Sequence, residues 1–174
     1  PHLGASTREA KEGVSRAVCA QIRDYLLHEK LDNAVNMRLS DLSILKEIQP
    51  YLDLSDLLGQ LHAQLADGPI HDVVLQCSGA MEDTRPISLA FLKGLLETRV
   101  PERINYINAE AMAKELGVNL QISYTNMETN YTNLISTIVS VNGQKQRLEG
   151  SVFDQSRPRL VNVNGYDMEV MPQG

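Results

Sequence analysis

The sequence predicts an α+β fold in which helices lie on one face of a mostly antiparallel sheet. Three observations predict it. Apart from one alternating run at Ile70 to Ser78, apolar residues recur at three- and four-residue steps through the first two thirds of the chain, up to about Leu116. From Val118 onward they alternate instead. Two Asn-Gly pairs, Asn142-Gly143 and Asn164-Gly165, each separate two alternating runs, the chemistry of a tight type I′ hairpin. Segregating helical and strand patterns in this way is characteristic of the α+β class.

Taken in order, Ser6-Thr7-Arg8-Glu9 has capping-box spacing and predicts a helix from Thr7 to about Glu29. Ala10, Val14, Ala17, Val18, Ile22, Tyr25 and Leu26 form its apolar stripe. Leu31 to Leu39 reads as a connector, with a domain boundary near Arg38, so that residues 1–38 and 39–174 are separate units. Ser40-Asp41 offers a second N-cap ahead of Leu42, Leu45 and Ile48, and Pro50 suits the first turn of a further helix that Asp67-Gly68-Pro69 ends. Ile70 to Ser78 alternates as a strand. Thr84 and Pro86 open a helix toward Thr98, and Asn108 caps a short one that Gly117 stops. Strands follow over 118–127, 132–141, 144–154, 159–163 and 166–170, the last four as antiparallel hairpins. The polar run from Thr125 to Asn133 reads as a solvated loop, with recognition as the alternative.

Composition narrows the function. The chain has 174 residues, 43% hydrophobic and 22% charged, within the range of ordinary globular domains. A formal charge of -6 argues against a nucleic-acid footprint but leaves room for a local anion site. No run of apolar residues is long enough for a membrane span, and no signal-like segment opens the chain, so a soluble cytoplasmic protein is expected. Cys19 and Cys77 are isolated, and His2, His28, His62 and His71 form no metal-binding pattern, so no metal is expected. His28 at a helix C-terminus is explained by the partial negative charge there. No glycine pattern matches a dinucleotide fingerprint or a phosphate loop, so the chain is not expected to hold NAD by itself. Opening on Pro1-His2 without Met, it is expected to be processed or cut from something longer.

Three stretches carry a resemblance. Pro1-His2-Leu3-Gly4-Ala5-Ser6-Thr7-Arg8-Glu9-Ala10 is similar to the PHxGAST-x-EA stretch of D-2-hydroxyacid dehydrogenases. Ile104-Asn105-Tyr106-Ile107-Asn108-Ala109 with Ala113-Lys114-Glu115-Leu116-Gly117-Val118 resembles the NYVNAP…AKERGI segment of long-form D-3-phosphoglycerate dehydrogenases. Glu149-Gly150-Ser151-Val152-Phe153, Pro158 to Tyr166 and Pro172-Gln173-Gly174 resemble their GTVF…PRIVxINGY…PxG ending. The three fall in family order.

The resemblance implies a fragment of such an enzyme: the end of its catalytic region in residues 1–38 and its allosteric substrate-binding, or intervening, domain in 39–174. It implies a parent that oxidises 3-phosphoglycerate with NAD in L-serine biosynthesis, with the fragment itself inactive. His2 would be the parent's catalytic acid/base, and His2, Leu3, Gly4 and Ala5 would lie beside the nicotinamide. The family's partner Glu and substrate-binding Arg lie upstream and are absent, as is the ACT domain that binds serine. Arg159 matches a basic position of the family's anion site, with Arg157 and Lys145 as candidate helpers for a phosphorylated hydroxy or keto acid. Tyr166 and Met171 stand where some relatives carry further arginines, and the reading that Arg159 merely flanks a strand edge stays open. A helix over residues 7–29 deprived of the catalytic domains would expose Val14, Val18, Ile22 and Leu26, so homodimerisation through it is expected, with fraying as the alternative. Two other readings are a structural spacer for subunit contact and the related domain of iron–sulfur L-serine dehydratase. Two isolated cysteines serve the latter's cluster poorly.

Overall fold

The structure, a computed structural model, describes residues 7–28, 42–79, 83–126 and 129–171. The chain divides into two compact units, Pro1–Leu42 and Ser43–Gly174.

In the first unit, α1 spans Arg8–His28. Its cap lies one residue later than the capping-box spacing suggests: Thr7, rather than Ser6, accepts from the Ala10 amide at 3.2 Å, and the helix begins at Arg8 rather than Thr7. The third helical amide is thereby satisfied by the threonine hydroxyl, while Ser6 and the expected last residue, Glu29, lie outside the described residues. Val14, Val18, Ile22 and Leu26 are 45% to 61% exposed, as the stripe without a covering surface requires.

α2 spans Leu42–Leu65, all but its first residue in the second unit, and here the sequence expectation is corrected. Pro50 lies inside one continuous helix and does not start a new one. Within a helix a proline removes a single N–H and strains the preceding turn, and here core packing on both sides offsets that cost: Ile48 precedes Pro50 and Leu52, Leu54 and Leu58 follow it, all against the core. Arg99 secures the other end of α2, donating to the carbonyls of Ala63, Ala66 and Gly68, where a cation also suits the helix's negative pole.

β1 (Ile70–Gly79) leads to α3 (Thr84–Glu97) and α4 (Ala109–Glu115). Asp83 caps α3, its carboxylate accepting from the Arg85 amide at 3.2 Å. Asn108, the expected cap of α4, makes no capping bond, because its side-chain oxygen accepts from the Asn105 amide instead. Gly117, at φ +73°, ends that helix as predicted. β2 (Asn119–Thr125), β3 (Asn133–Val141), β4 (Gln144–Phe153), β5 (Arg157–Val163) and β6 (Tyr166–Val170) complete one sheet in the order β2-β1-β3-β4-β5-β6. Only β1 and β2 are parallel; the crossover through α3 and α4 makes them so. Both Asn-Gly turns hold positive φ at both residues, +51° and +78°, then +53° and +92°, as type I′ geometry demands.

The core lies between the helices and one sheet face. Val73, Leu75 and Cys77 of β1, Ile135 and Val139 of β3 and Leu148 and Val152 of β4 meet Leu54, Leu58, Phe91 and Leu95 there. Burial pushes the Cys77 thiol up to about 12, which keeps it protonated and unreactive at neutral pH. α2 and α3 cross at two glycines. A Cβ on Gly59 would stand 2.2 Å from the Phe91 carbonyl oxygen, and one on Gly94 2.0 Å from that of Asp56. His62 is fully buried in the same layer, its Nε2 2.9 Å from the Thr137 hydroxyl. That hydroxyl spends its one hydrogen on the Leu148 carbonyl, so His62 Nε2 must be the donor and the imidazole is neutral with a bare Nδ1.

Candidate functional site

The sheet face away from the helices carries the basic residues singled out above. Arg159 sits on β5 opposite Ser151, and Arg157 opposite Phe153. β5 is not an edge strand, yet β6 pairs with it only from Leu160 to Val163, so the stretch with both arginines is bonded to β4 alone. The two differ in environment. Arg157 is 62% exposed, with Asp154 at 3.7 Å, an arrangement of small energetic weight. Arg159 is only 18% exposed, its Nε lies 3.8 Å from a Glu169 carboxylate oxygen, and that buried nitrogen has no hydrogen-bond partner among the described residues.

Lys145 is placed elsewhere. It pairs with Ser140 beside the β3–β4 turn, six residues along β4 from the partner of Arg159, or roughly 20 Å at the rise of an extended strand. It shares the face of Arg159 but not its neighbourhood. Between them stands a pair the sequence reading missed: Arg147 reaches the largely buried Glu149 carboxylate at 2.6 Å through one terminal nitrogen and 3.1 Å through Nε. Their i, i+2 spacing on a predicted strand puts both on one face, which is the signal that could have found them. Glu169 was also missed, and β6 brings it to Arg159.

A cleft of about 570 Å³ opens between Tyr51, Tyr131, Asn133, Ser151 and Asp154, next to the cross-strand partner of Arg159 but lined by neither arginine. A second, of about 270 Å³, lies between α3, α4 and β2, with Leu89, Leu92 and Leu120 inside and Glu110 bonded to both Arg85 and Lys114 at its rim. His2, Leu3, Gly4 and Ala5 lie outside the described residues, as does the side chain of His28. Among the described residues no group of His, Cys, Asp and Glu is placed to hold a metal ion, and no helix is long and apolar enough to cross a membrane.

A single mixed sheet, backed on one face by helices and carrying Arg159 with Glu169 on the other, defines a two-layer α+β module. Within that class, the chain belongs to the family of D-3-phosphoglycerate dehydrogenase intervening domains, whose model matches residues 47–164. Relatives bearing the name D-3-phosphoglycerate dehydrogenase match all or nearly all of the chain. One from Methanocaldococcus jannaschii is 35% identical over all of this chain and 33% of its own length. One from Bacillus subtilis is 29% identical over all of the chain and 34% of its own length, and one from Synechocystis 31% over 99% and 32%. The chain thus spans about a third of the length of these relatives.

Proposed function

We propose that residues 39–174 act as a regulatory anion-binding domain of an NAD-dependent D-3-phosphoglycerate dehydrogenase, and that residues 1–38 are the end of its catalytic region. The parent would oxidise 3-phosphoglycerate to phosphohydroxypyruvate in the cytoplasm, on the route to L-serine. His2 would exchange a proton with the substrate hydroxyl, and Leu3, Gly4 and Ala5 would flank the nicotinamide. This chain alone would neither hold NAD nor catalyse.

One observation carries the regulatory reading: among the described residues Arg159 keeps a buried Nε without a hydrogen-bond partner, and its ion pair with Glu169 is long. A buried donor in that state gains from an arriving carboxylate or phosphoryl oxygen. Arg157 is near enough on the same face to assist, and Lys145 would act only through the longer-range field.

Phosphohydroxypyruvate and 3-phosphoglycerate should each raise the thermal stability of the chain, by about 2.7 kcal/mol at one hundred times the dissociation constant. Arg159→Ala should abolish the rise and Lys145→Ala should leave most of it. Stability indifferent to both acids would sink the anion reading and leave a spacer for subunit contact. That second reading has its own support in the exposed stripe of α1, through which we propose a homodimer. It predicts a dimeric solution mass that Val18→Asp returns to the monomer.

A further inference from the structure

We propose that the outer edge of β2 pairs with β2 of a second copy of this chain, antiparallel, to make one continuous sheet across the two. β2 ends the sheet, and among the described residues no strand pairs with its far side. Asn119, Gln121, Ile122, Ser123 and Tyr124 stand exposed along it, with Leu120 and Thr125 partly buried. Backbone groups that point outward from such an edge lack a ladder partner and are a template for another strand.

The two edges of the sheet differ in how they are defended. β6 is five residues long, carries Asp167 and Glu169, and meets β5 across a register shift between Leu160 and Asn162. Short length, charge and a bulge are what keep an edge from pairing. β2 has none of these. Asn119-Leu120-Gln121-Ile122-Ser123-Tyr124-Thr125 holds no charged residue, no proline and no glycine, and its register on β1 runs unbroken from end to end.

The strand's own sequence identifies the occupant. A two-fold axis through Ile122 sets the two copies antiparallel in an isologous contact. Leu120 then lies opposite Tyr124, Gln121 opposite Ser123, Asn119 opposite Thr125, and Ile122 opposite its own copy. Apolar residues meet apolar ones and polar residues meet polar ones at every position, the condition for favourable cross-strand pairs. The faces agree as well. Leu120 pairs with Val73 of β1 and Ile122 with Leu75, so Leu120, Ile122 and Tyr124 share the helix side of the sheet, where Ile122 is 43% and Tyr124 36% exposed. The same three residues of the second copy extend that apolar row and cover its end. An edge without charge offers no ion pair to a charged foreign strand, whereas the matching pattern is supplied by the chain itself. Seven residues a side is short of the roughly twenty to thirty of a standard interface, which makes the contact a weak one, with a dissociation constant on the order of 100 μM.

The test uses the full chain carrying Val18→Asp, which removes pairing through α1 and lets the two contacts be read separately. Sedimentation velocity from about 10 μM to about 1 mM should take this variant from monomer to dimer. Hydrogen exchange of the Leu120 to Tyr124 amides should slow at the higher concentration, while that of β6 stays the same. Adding Ile122→Lys places two like charges directly opposite each other on the axis and should weaken the dimer at least tenfold, with the melting temperature little changed because the position is exposed. Ser123→Lys, on the opposite face of the same strand, should weaken it too and serves if Ile122→Lys fails to fold. Tyr166→Lys on β6 is the control and should leave the dimer intact. A chain that stays monomeric at the highest concentration, a dimer indifferent to both β2 substitutions, or a dimer whose β2 amides exchange as fast as the monomer's would each overturn the pairing.

Discussion

Gly94→Ala should cost about 3 kcal/mol of stability, read from the urea midpoint at constant slope. Taken alone, alanine in a helix interior is worth up to about 1 kcal/mol over glycine. The contact reverses the sign. A Cβ 2.0 Å from the Asp56 carbonyl oxygen meets backbone that cannot rotate away, so α2 and α3 must move apart and loosen the packing of Leu54, Leu58, Phe91 and Leu95. Gly59→Ala, against the Phe91 carbonyl, should behave alike. Gly13 in α1 is the control, since among the described residues nothing beyond its own helix backbone comes within 4 Å of an added Cβ, and its replacement should be neutral or mildly stabilising. Equal responses at Gly94 and Gly13 would mean that the glycine crossing does not hold the two helices.

The second large effect is on acid stability. Burial pushes the His62 imidazole down to about 4, against an ordinary value of 6.5. A group whose folded pKa is depressed below its unfolded one is held neutral by the fold. Its contribution is complete above pH 6.5 and drains away as the pH falls from 6.5 to about 4, because the unfolded chain takes the proton first. At 1.36 kcal/mol per pH unit the loss approaches about 3 kcal/mol. Asp56, whose carboxyl is raised by burial against the opposing pull of Lys93, slopes the other way at lower pH. The informative quantity is therefore the difference between the wild type and His62→Gln. The variant should be less stable at pH 7 and should close on the wild type toward pH 4.5. Parallel profiles would show that His62 is not the titrating group.

Local chemistry made much of this architecture readable. Asn-Gly pairs dictate their own positive φ, and alternation needs only the strand's own side chains, so β3 to β6 could be placed before any tertiary contact was known. What escaped depends on partners far along the chain. That β2 lies parallel to β1 follows from a crossover of about forty residues, and no dipeptide encodes it. Pro50 misled because its tolerance is decided by the packing of Ile48 and Leu52, which local propensity does not contain. Arg99 was unremarkable in sequence, since the three carbonyls it binds belong to residues more than thirty positions earlier. At the candidate site Arg159 was legible as a residue type in a family motif, but its state was not. The unpartnered Nε and the approach of Glu169 exist only once β6 folds back. Strand length alone would have separated Lys145 from it.

The position of β1, inside the sheet between β2 and β3, also governs how the sheet can be assembled. β3–β4 and β5–β6 close through two-residue turns, loops of a kind that form within microseconds. β1 has no neighbour of that sort. Its partners are β2, some forty residues later, and β3, more than fifty later, so its pairing must await the closure of long loops. Folding should then run from a quickly formed four-strand meander to a late step in which β1 is seated and β2 is joined to the rest. Pulse-labelled hydrogen exchange would show amides of β4 protected ahead of those of β1, whereas simultaneous protection would mean that the sheet condenses in one event. Until that step the β3 edge is an open strand, the stretch of this chain most exposed to pairing with another copy of itself.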